Sequence, residues 1–516
     1  MDSTGDLDRL SALPDDLLHL ILTFVGDATD VTRTAVLSRR WRRVWIQARH
    51  LAFLDTRVIG GTVPCRFAGF VDWVLARRGG AAMASLDIDM SRSPHAPETR
   101  VNAWLRYAAR NATRSFRLRL PHRDTAPRTI ELPGQARMAS IWMDLSRNRL
   151  RLPTAAAAAE YEALTELALY GVWFDDEEAA GGGRALGDFV SSCCPRLRKL
   201  VLRPKALLQL VIRAEALQEL HLFSAWDLRK LDVTAPNLSV LTLNFCFDQR
   251  SSGDGEHSNQ GVARITSRRL EEITMQNRPR CRRPELLIQD LTGVRRLHGL
   301  HLDMHGKYCR DRDASLWLLE NCHGVEHVDI TLDHLEARDV SAHKLIDLTT
   351  EGTEPWANVS SMVVKACNFP GHYLVASMSA LLLRCPHLRS LCIEIIESVR
   401  KNRSLRKCFC DDHHTCRGHQ NIFLEYLKSV KITSFAGADE ELDLVCLLFK
   451  GSNSINSMTL VAEISRIDYL RRKIQEEEHG RETIDHLLMK IPCTDQGHWY
   501  FGKDVYTWTC KEEYEV

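Results

Sequence analysis

Cys194-Pro195-Arg196-Leu197-Arg198-Lys199-Leu200-Val201-Leu202 is the stretch from which the fold can be read. Leu197, Leu200 and Leu202 stand at positions i, i+3 and i+5. The last two share one face of a strand, because side chains alternate along an extended chain, and the first anchors the turn leading into it. The same triplet recurs upstream at Met83/Leu86/Ile88, Met138/Ile141/Met143 and Leu164/Leu167/Leu169. Downstream it returns at Leu217/Leu220/Leu222, Leu238/Leu241/Leu243, Leu270/Ile273/Met275, Leu297/Leu300/Leu302 and Val325/Val328/Ile330. It continues at Val359/Met362/Val364, Leu388/Leu391/Ile393, Leu427/Val430/Ile432 and Ile455/Met458/Leu460. Such a unit cannot bury its apolar face alone, but stacked neighbours bury a continuous core.

The intervals carry more information. Between Leu197 and Leu243 the triplet also occurs at Leu207/Leu210/Ile212 and Leu228/Leu231/Val233. Copies there lie about ten residues apart, so each coil of about 20 residues is expected to carry a strand on both faces. Elsewhere the interval is about 25–35 residues, which leaves room for a helix. Helices are expected from Asp313 to Cys322 and from Val375 to Cys385. The L-x-x-L-x-L core is that of a leucine-rich repeat, here with irregular spacing. Three stretches interrupt it: a glycine-rich loop from Asp175 to Arg184, a polar Ser/Gly/Asp-rich stretch from Asp248 to Gly261, and a basic turn from Arg278 to Pro284. The basic turn reads as an exposed loop.

The chain has 516 residues, 44% hydrophobic and 26% charged, which is ordinary for a globular protein. Its 68 Lys+Arg against 67 Asp+Glu leave a formal charge of +1. That balance offers no bulk attraction to nucleic acid or to a membrane, so partner choice is expected to rest on shape and local patches. No apolar run approaches the ~18 residues of a membrane span. The acidic, polar start is unlike a secretory or transit peptide. Sixteen cysteines is too sparse for a disulfide-stapled module. Cys367, Cys392 and Cys446 sit in apolar segments and read as small reduced hydrophobes, so the expected location is nucleus, cytoplasm or both.

The N-terminal residues follow a different pattern. Leu13-Pro14-Asp15-Asp16 starts a helix with acids in its first turn, where the helix dipole favours them. Leu17, Leu18, Ile21, Leu22 and Val25 follow at helical spacing, and Gly26 ends it. Asp30 is expected to cap a second short helix, and Ser38 a third running from Arg39 to His50. A unit this small cannot bury all its leucines and both tryptophans by itself. Leu10 to Leu18, then Thr34-Ala35-Val36-Leu37-Ser38-Arg39-Arg40-Trp41-Arg42 and Trp45, resemble a plant F-box. The resemblance implies docking onto a Skp-type adaptor, and through it a cullin-based ubiquitin ligase. It places Leu13, Pro14, Leu17, Ile21, Leu37 and Trp41 on or directly beneath the adaptor-binding surface. Arg39, Arg40, Arg42 and Arg43 read as a solvated face, not as a nucleic-acid patch. Cys194 to Leu200 and Cys385 to Leu391 are also similar to the strand lead-ins of F-box-associated leucine-rich repeats.

Cys408, Cys410, His413 and Cys416, with His414 and His419, fall within one short stretch. Thiolate and imidazole are the ligands zinc prefers. The spacing matches no standard finger, so a solvated loop is the preferred reading and no metal or cofactor is assigned. Beyond it, Phe435, Gly437, Glu440 and Glu441 lead into a helix bearing Leu442, Val445, Leu448 and Phe449. Trp499-Tyr500-Phe501 and Tyr506-Thr507-Trp508 read as an aromatic strand pair. This layout resembles the FBD-type domain that closes many plant F-box/leucine-rich-repeat proteins.

The expected fold class is α/β: a three-helix F-box over 8–52, an irregular leucine-rich-repeat solenoid over 53–422 and an FBD-like α/β cap over 423–516. The expected function is the substrate-recognition subunit of a Skp–cullin–F-box E3 ubiquitin ligase, itself non-catalytic, with an unknown target protein held by the repeats. Neither membrane nor nucleic acid is an expected partner. The alternative is a leucine-rich-repeat scaffold or ligand sensor uncoupled from a ligase. An enzyme is disfavoured: the sequence contains no G-x-x-x-x-G-K-[ST], H-E-x-x-H or G-x-S-x-G.

Overall fold

The computed structural model describes residues 13–55, 66–92, 96–122, 127–153, 161–174, 183–247, 261–276, 284–303, 314–333, 355–367, 373–396, 422–462, 488, 497–502 and 505–510. The fold is mixed α/β, with a helical N-terminus and mostly parallel strands. The chain divides into two compact units, Met1–Arg269 with Pro284–Gln289, and Leu270–Arg283 with Asp290–Val516.

The first unit opens with α1 (Asp15–Val25), α2 (Ala28–Arg33), a 3-10 turn (Thr34–Val36), α3 (Trp41–Val44) and a second 3-10 turn (Trp45–Gln47). Ten strands and three helices follow: β1 (His50–Leu54), α4 (Arg66–Arg78), β2 (Met83–Asp89), α5 (Glu98–Asn111), β3 (Ala112–Arg119), β4 (Thr129–Glu131), β5 (Ser140–Asp144), β6 (Arg149–Arg151), β7 (Glu166–Phe174), α6 (Arg184–Cys193), β8 (Lys199–Ala206), β9 (Gln209–Arg213) and β10 (Glu219–Phe223). Then come β11 (Lys230–Thr234), β12 (Val240–Asn244) and β13 (Val262–Thr266). β14 (Glu272–Gln276) belongs to the second unit, and β15 (Glu285–Ile288) returns to the first.

The main ladder of the first unit runs β1–β2–β3–β5–β7–β8–β10–β12, all parallel. Its register follows the triplets. Leu86 lies opposite Phe116, Phe116 opposite Ile141, Ile141 opposite Leu167, and Leu167 opposite Leu200. Each of these side chains is buried. A one-residue slip in any strand would turn its whole apolar set toward solvent, so the pattern pins the register.

A second parallel ladder, β9–β11–β13–β15, interleaves with the first in sequence. Leu210, Leu231, Ala263 and Leu286 align along it. The short interval between triplets therefore corresponds to strands that alternate between two ladders. α6 lies flat against the start of this ladder. A Cβ on Gly187 would stand 2.2 Å from the Val211 carbonyl oxygen, so only glycine allows that approach.

In the second unit β14, β16 (Arg296–Asp303), β17 (His327–Asp333), β18 (Ser361–Cys367), β19 (Ser390–Ile396), β20 (Ser429–Phe435) and β21 (Ser457–Ala462) form one parallel ladder. The expected helices are α7 (Ala314–Asn321) and α8 (Tyr373–Leu382), joined by α9 (Asp439–Gly451). The chain then reverses direction. β22 (Gly497–Phe501) and β23 (Val505–Cys510) form an antiparallel hairpin, and β23 pairs antiparallel with β21. Trp508 lies opposite Met458 and packs edge-on against Phe449 at 4.9 Å, as the aromatic pair suggested.

Some details differ from expectation. The third helix does not extend from Arg39 to His50: α3 gives way to a 3-10 turn, Ala48 is extended, and β1 begins at His50. Asp27, not Asp30, caps α2, its Oδ1 accepting from the amides of Thr29 and Asp30 at 2.8 and 3.3 Å. At β16 the register partner of Val328 is Leu297, and a bulge at Gly299 (φ 65°) precedes Leu300. The turn anchor of that repeat is thus the fully buried Val294. The glycine-rich stretch 175–182, the polar stretch 248–260, most of the basic turn (277–283) and the Cys/His stretch 408–419 lie outside the described residues.

Candidate functional site

α1 is apolar on two sides. Its carbonyl lead-in is Pro14, whose oxygen accepts from the amides of Leu17 and Leu18 at 3.1 and 3.2 Å. Leu18 and Leu22 are completely buried on one side. On the other, Leu17, Leu20 and Phe24 at i, i+3 and i+7 face solvent, with Phe24 83% exposed. The 3-10 turn after α2 adds Val36 at 82% and Leu37 at 59% exposure. Leaving side chains of this size in water forgoes ~1.5–3 kcal/mol each. Single exposed leucines are ordinary, but these five exposed large apolar side chains on one small helical unit make it the candidate interaction surface.

The surface is braced from behind. Arg40 clamps the start of α1, with Nη2 2.6 Å from the Leu13 carbonyl oxygen and 2.6 Å from Asp15 Oδ1. Ser38 Oγ accepts the Trp41 amide at 3.3 Å, so the expected cap of the third helix is present. Trp41 is only 6% exposed and Trp45 is likewise buried, so both act by packing. Arg78 on α4 donates to the Trp45 carbonyl at 3.4 Å, and burial pulls its guanidinium below the ordinary arginine range. Trp73 of the same helix stacks on Trp45 at 5.9 Å.

There is no linker between this helical unit and the ladder. Gly26 adopts φ 63°, and its carbonyl accepts the Ala52 amide at 2.8 Å, while Asp27 and Ala52 form an isolated parallel bridge. The orientation of α1 and α2 against β1 is thereby fixed by backbone hydrogen bonds.

Of the residues singled out from sequence, Pro14, Leu17 and Leu37 are exposed, Leu13 and Ile21 are partly exposed, and Trp41 is buried. Leu20, Phe24 and Val36 were not among them. The signal for Leu20 and Phe24 was available, as a second apolar row at i, i+3 and i+7 from Leu17.

A second surface is the solvent side of the main ladder in the first unit. There the side chains between the buried positions carry Arg117 and Arg119 on β3, Trp142 and Asp144 on β5, Tyr170 on β7 and Arg203 on β8. Both β3 guanidiniums lie over the Trp142 ring, at 5.1 and 5.2 Å, and Tyr170 is tilted against it at 5.5 Å.

Among the described residues the thiols inside the fold do not suggest nucleophiles. Burial pushes Cys246 and Cys322 up to about 12 and Cys367 up to about 11, and raises Cys194, Cys385, Cys392 and Cys446 as well. A thiol held that high carries almost no thiolate at neutral pH. Cys367, Cys392 and Cys446 are partly exposed, less buried than their apolar surroundings suggested. Among the described residues no His, Cys, Asp and Glu side chains form a group able to hold a metal, and no helix is long and apolar enough to cross a membrane.

Comparison with known proteins supplies the frame for these surfaces. The F-box domain profile matches residues 10–49. An F-box/FBD/LRR-repeat protein of Arabidopsis thaliana is 29% identical over 192 residues, which is 36% of this chain and 44% of that protein. F-box/LRR-repeat protein 25 of the same plant is 52% identical over 46 residues, 9% of this chain and 18% of its own length. A putative F-box/FBD/LRR-repeat protein of Arabidopsis is 23% identical over 484 residues, 91% of this chain and 92% of that one. The chain thus spans less than half the length of the first two relatives and most of the third. It carries an F-box domain at its N-terminus, and its homologues are plant F-box/FBD/LRR-repeat proteins.

Proposed function

We propose that this F-box chain is the substrate-recruiting subunit of a Skp–cullin–F-box E3 ubiquitin ligase. The observation that carries the proposal is the exposed apolar cluster of the F-box region, set on helices whose opposite sides are buried against the rest of the chain. In this reading Pro14, Leu17, Leu20, Ile21, Phe24, Val36 and Leu37 meet a Skp-type adaptor, Leu13 borders them, and Trp41 supports them from beneath. Residues 8–52 serve as the F-box, 53–422 as a leucine-rich-repeat solenoid that holds a target protein, and 423–516 as an FBD-like cap. The hairpin of β22 and β23 suits such a cap, since it pairs with the edge of β21. The working compartment is nucleus, cytoplasm or both.

The chain's contribution to the reaction is positional. It holds the target near a charged ubiquitin-conjugating enzyme, which raises effective concentration and fixes orientation without any side chain of this chain reacting. The raised cysteine thiols suit a non-catalytic role.

The test is co-purification with a Skp-type adaptor. The intact chain should form a stoichiometric complex. Leu13→Ala/Pro14→Ala/Leu17→Ala and, separately, Phe24→Ser/Val36→Ser should lose it while circular dichroism stays unchanged. Absence of a complex with the intact, folded chain sinks the ligase reading and leaves a repeat scaffold.

A further inference from the structure

The solvent side of the main ladder in the first unit concentrates positive charge around one tryptophan. Arg117, Arg119 and Arg203 project from β3 and β8, Lys205 follows on β8, and Arg147 stands in the turn after β5 with φ 79°. Asp87, Asp89, Asp144 and Glu166 are the carboxylates of the same region. Asp89 is taken by Arg119 at 3.0 Å, and Asp144 Oδ1 accepts the Ser146 amide at 3.2 Å. Among the described residues Arg117, Arg203 and Lys205 have no ion-pair partner. The cations therefore outnumber the carboxylates. Burial first, and then Arg147 and Arg203, hold the Lys205 ammonium below the ordinary lysine range, with Asp144 opposing.

The geometry suits recognition as well as charge. A guanidinium stacked on an indole keeps its in-plane N–H groups free, and these match the two oxygens of a carboxylate or phosphate. Arg117 and Arg119 lie over the Trp142 ring at 5.1 and 5.2 Å, Arg119 also pairing with Asp89 and Arg117 without an ion-pair partner among the described residues, and Tyr170 lies against the ring at 5.5 Å. Arg, Trp and Tyr are the residue types that dominate protein–protein hot spots. The chain as a whole has a formal charge of +1, so this local excess is not a by-product of a basic protein.

We propose that this Trp142-centred patch on β3, β5, β7 and β8 captures an extended Asp/Glu-rich segment of the target protein. The proposal rests on the target-recruiting reading above and names the chemistry that reading leaves open.

The test uses the full chain co-expressed with a Skp-type adaptor and fluorescein-labelled 12-residue probes. The probes are an alternating Glu-Ser peptide, the same peptide with phosphoserine, its Gln-Ser counterpart and a single-stranded RNA of similar charge. The acidic peptides should bind at least tenfold tighter than the Gln-Ser peptide, with affinity falling as salt rises. Arg117→Gln/Arg203→Gln, both at exposed positions, should weaken them at least tenfold while adaptor capture stays intact. Arg147→Gln/Lys205→Gln should weaken them by a smaller factor. Equal or tighter binding of the Glu-Ser peptide supports an Asp/Glu-rich occupant, and a tenfold preference for phosphoserine would overturn it. Acidic and Gln-Ser peptides binding alike, charge variants binding like the parent, or RNA binding tighter than either acidic peptide would each overturn the patch. Acidic peptides bound by a chain that fails to capture the adaptor would overturn the ligase reading alone.

Discussion

At the scale of single residues, α1 shows how one helix serves two masters. Leu22 is completely buried and Phe24 almost completely exposed, two positions apart. Leu22→Ala should therefore cost about 2–5 kcal/mol of stability. Phe24→Ser should change stability by about 0.5 kcal/mol or less yet abolish adaptor capture. Urea titration and pull-down, run on both variants, separate the two roles. The sequence told that α1 was apolar but not which leucines faced outward, because both rows satisfy helical spacing. Only the packing of Leu18 and Leu22 against the chain's own core distinguishes them. The half-buried Asp87 makes a second residue-scale point. Burial pushes its carboxyl up, Asp89 adds to that, and Arg117 and Arg119 oppose it. A raised folded-state value stabilises the fold at low pH and disfavours it once pH passes that value. Asp87→Asn should thus raise the denaturation midpoint at pH 7, and the gain should disappear as pH falls below the ordinary Asp value of about 3.9.

At the scale of elements, the strands were legible wherever the triplet was complete. The step of about ten residues between Leu197 and Leu243 even makes the second ladder legible in the sequence. The misses have physical causes. β1 fits the triplet only through Ala48, whose small side chain is buried but hides among helix formers. β3 carries Thr113 where an apolar anchor belongs, and its hydroxyl donates instead to the Met83 carbonyl at 3.2 Å. β16 is displaced by the bulge at Gly299, which no spacing rule anticipates. α9 depends on one residue that did stand out in sequence: Glu441 Oε2 accepts the amides of Ala436 and Gly437 at 2.7 and 2.9 Å. Glu441→Ala should cost about 1–3 kcal/mol, since those amides lose a largely buried acceptor. The loss should appear as a lower denaturation midpoint and faster amide exchange at the start of α9. Gly171 sits at φ 61°, and a Cβ there would stand 3.1 Å from the Ser146 amide nitrogen. Gly171→Ala should cost on the order of 1–3 kcal/mol by the same measurement.

At the scale of the whole molecule, each unit is a stack in which a strand meets only its neighbours, so its ends and its exposed sides set its behaviour. The hairpin of β22 and β23 occupies the edge of β21. A chain ending before Gly497 should expose that edge and associate, visible as higher-order species in size-exclusion chromatography. The solvent side of the second unit carries a pair of imidazoles, His298 and His327, with ring centroids 5.3 Å apart. Burial lowers His327, and His298 and Arg296 lower it further against Asp329 and Glu272. A depressed histidine stabilises the fold above its unfolded value of 6.5 and loses that contribution as pH falls through the folded one. Stability should decline below about pH 6.5, and His327→Gln should flatten the decline. Finally, the Gly26–Ala52 hydrogen bond turns the first unit into a ruler. Each parallel strand adds ~4.8 Å, so β5 lies ~14 Å along the ladder from β1. With no hinge at the zero mark, the distance from α1 and α2 to any rung is a whole number of strand spacings. Inserting or deleting one strand repeat would move everything beyond it by one graduation, and, under the target-recruiting proposal, the lysines of a bound target with it.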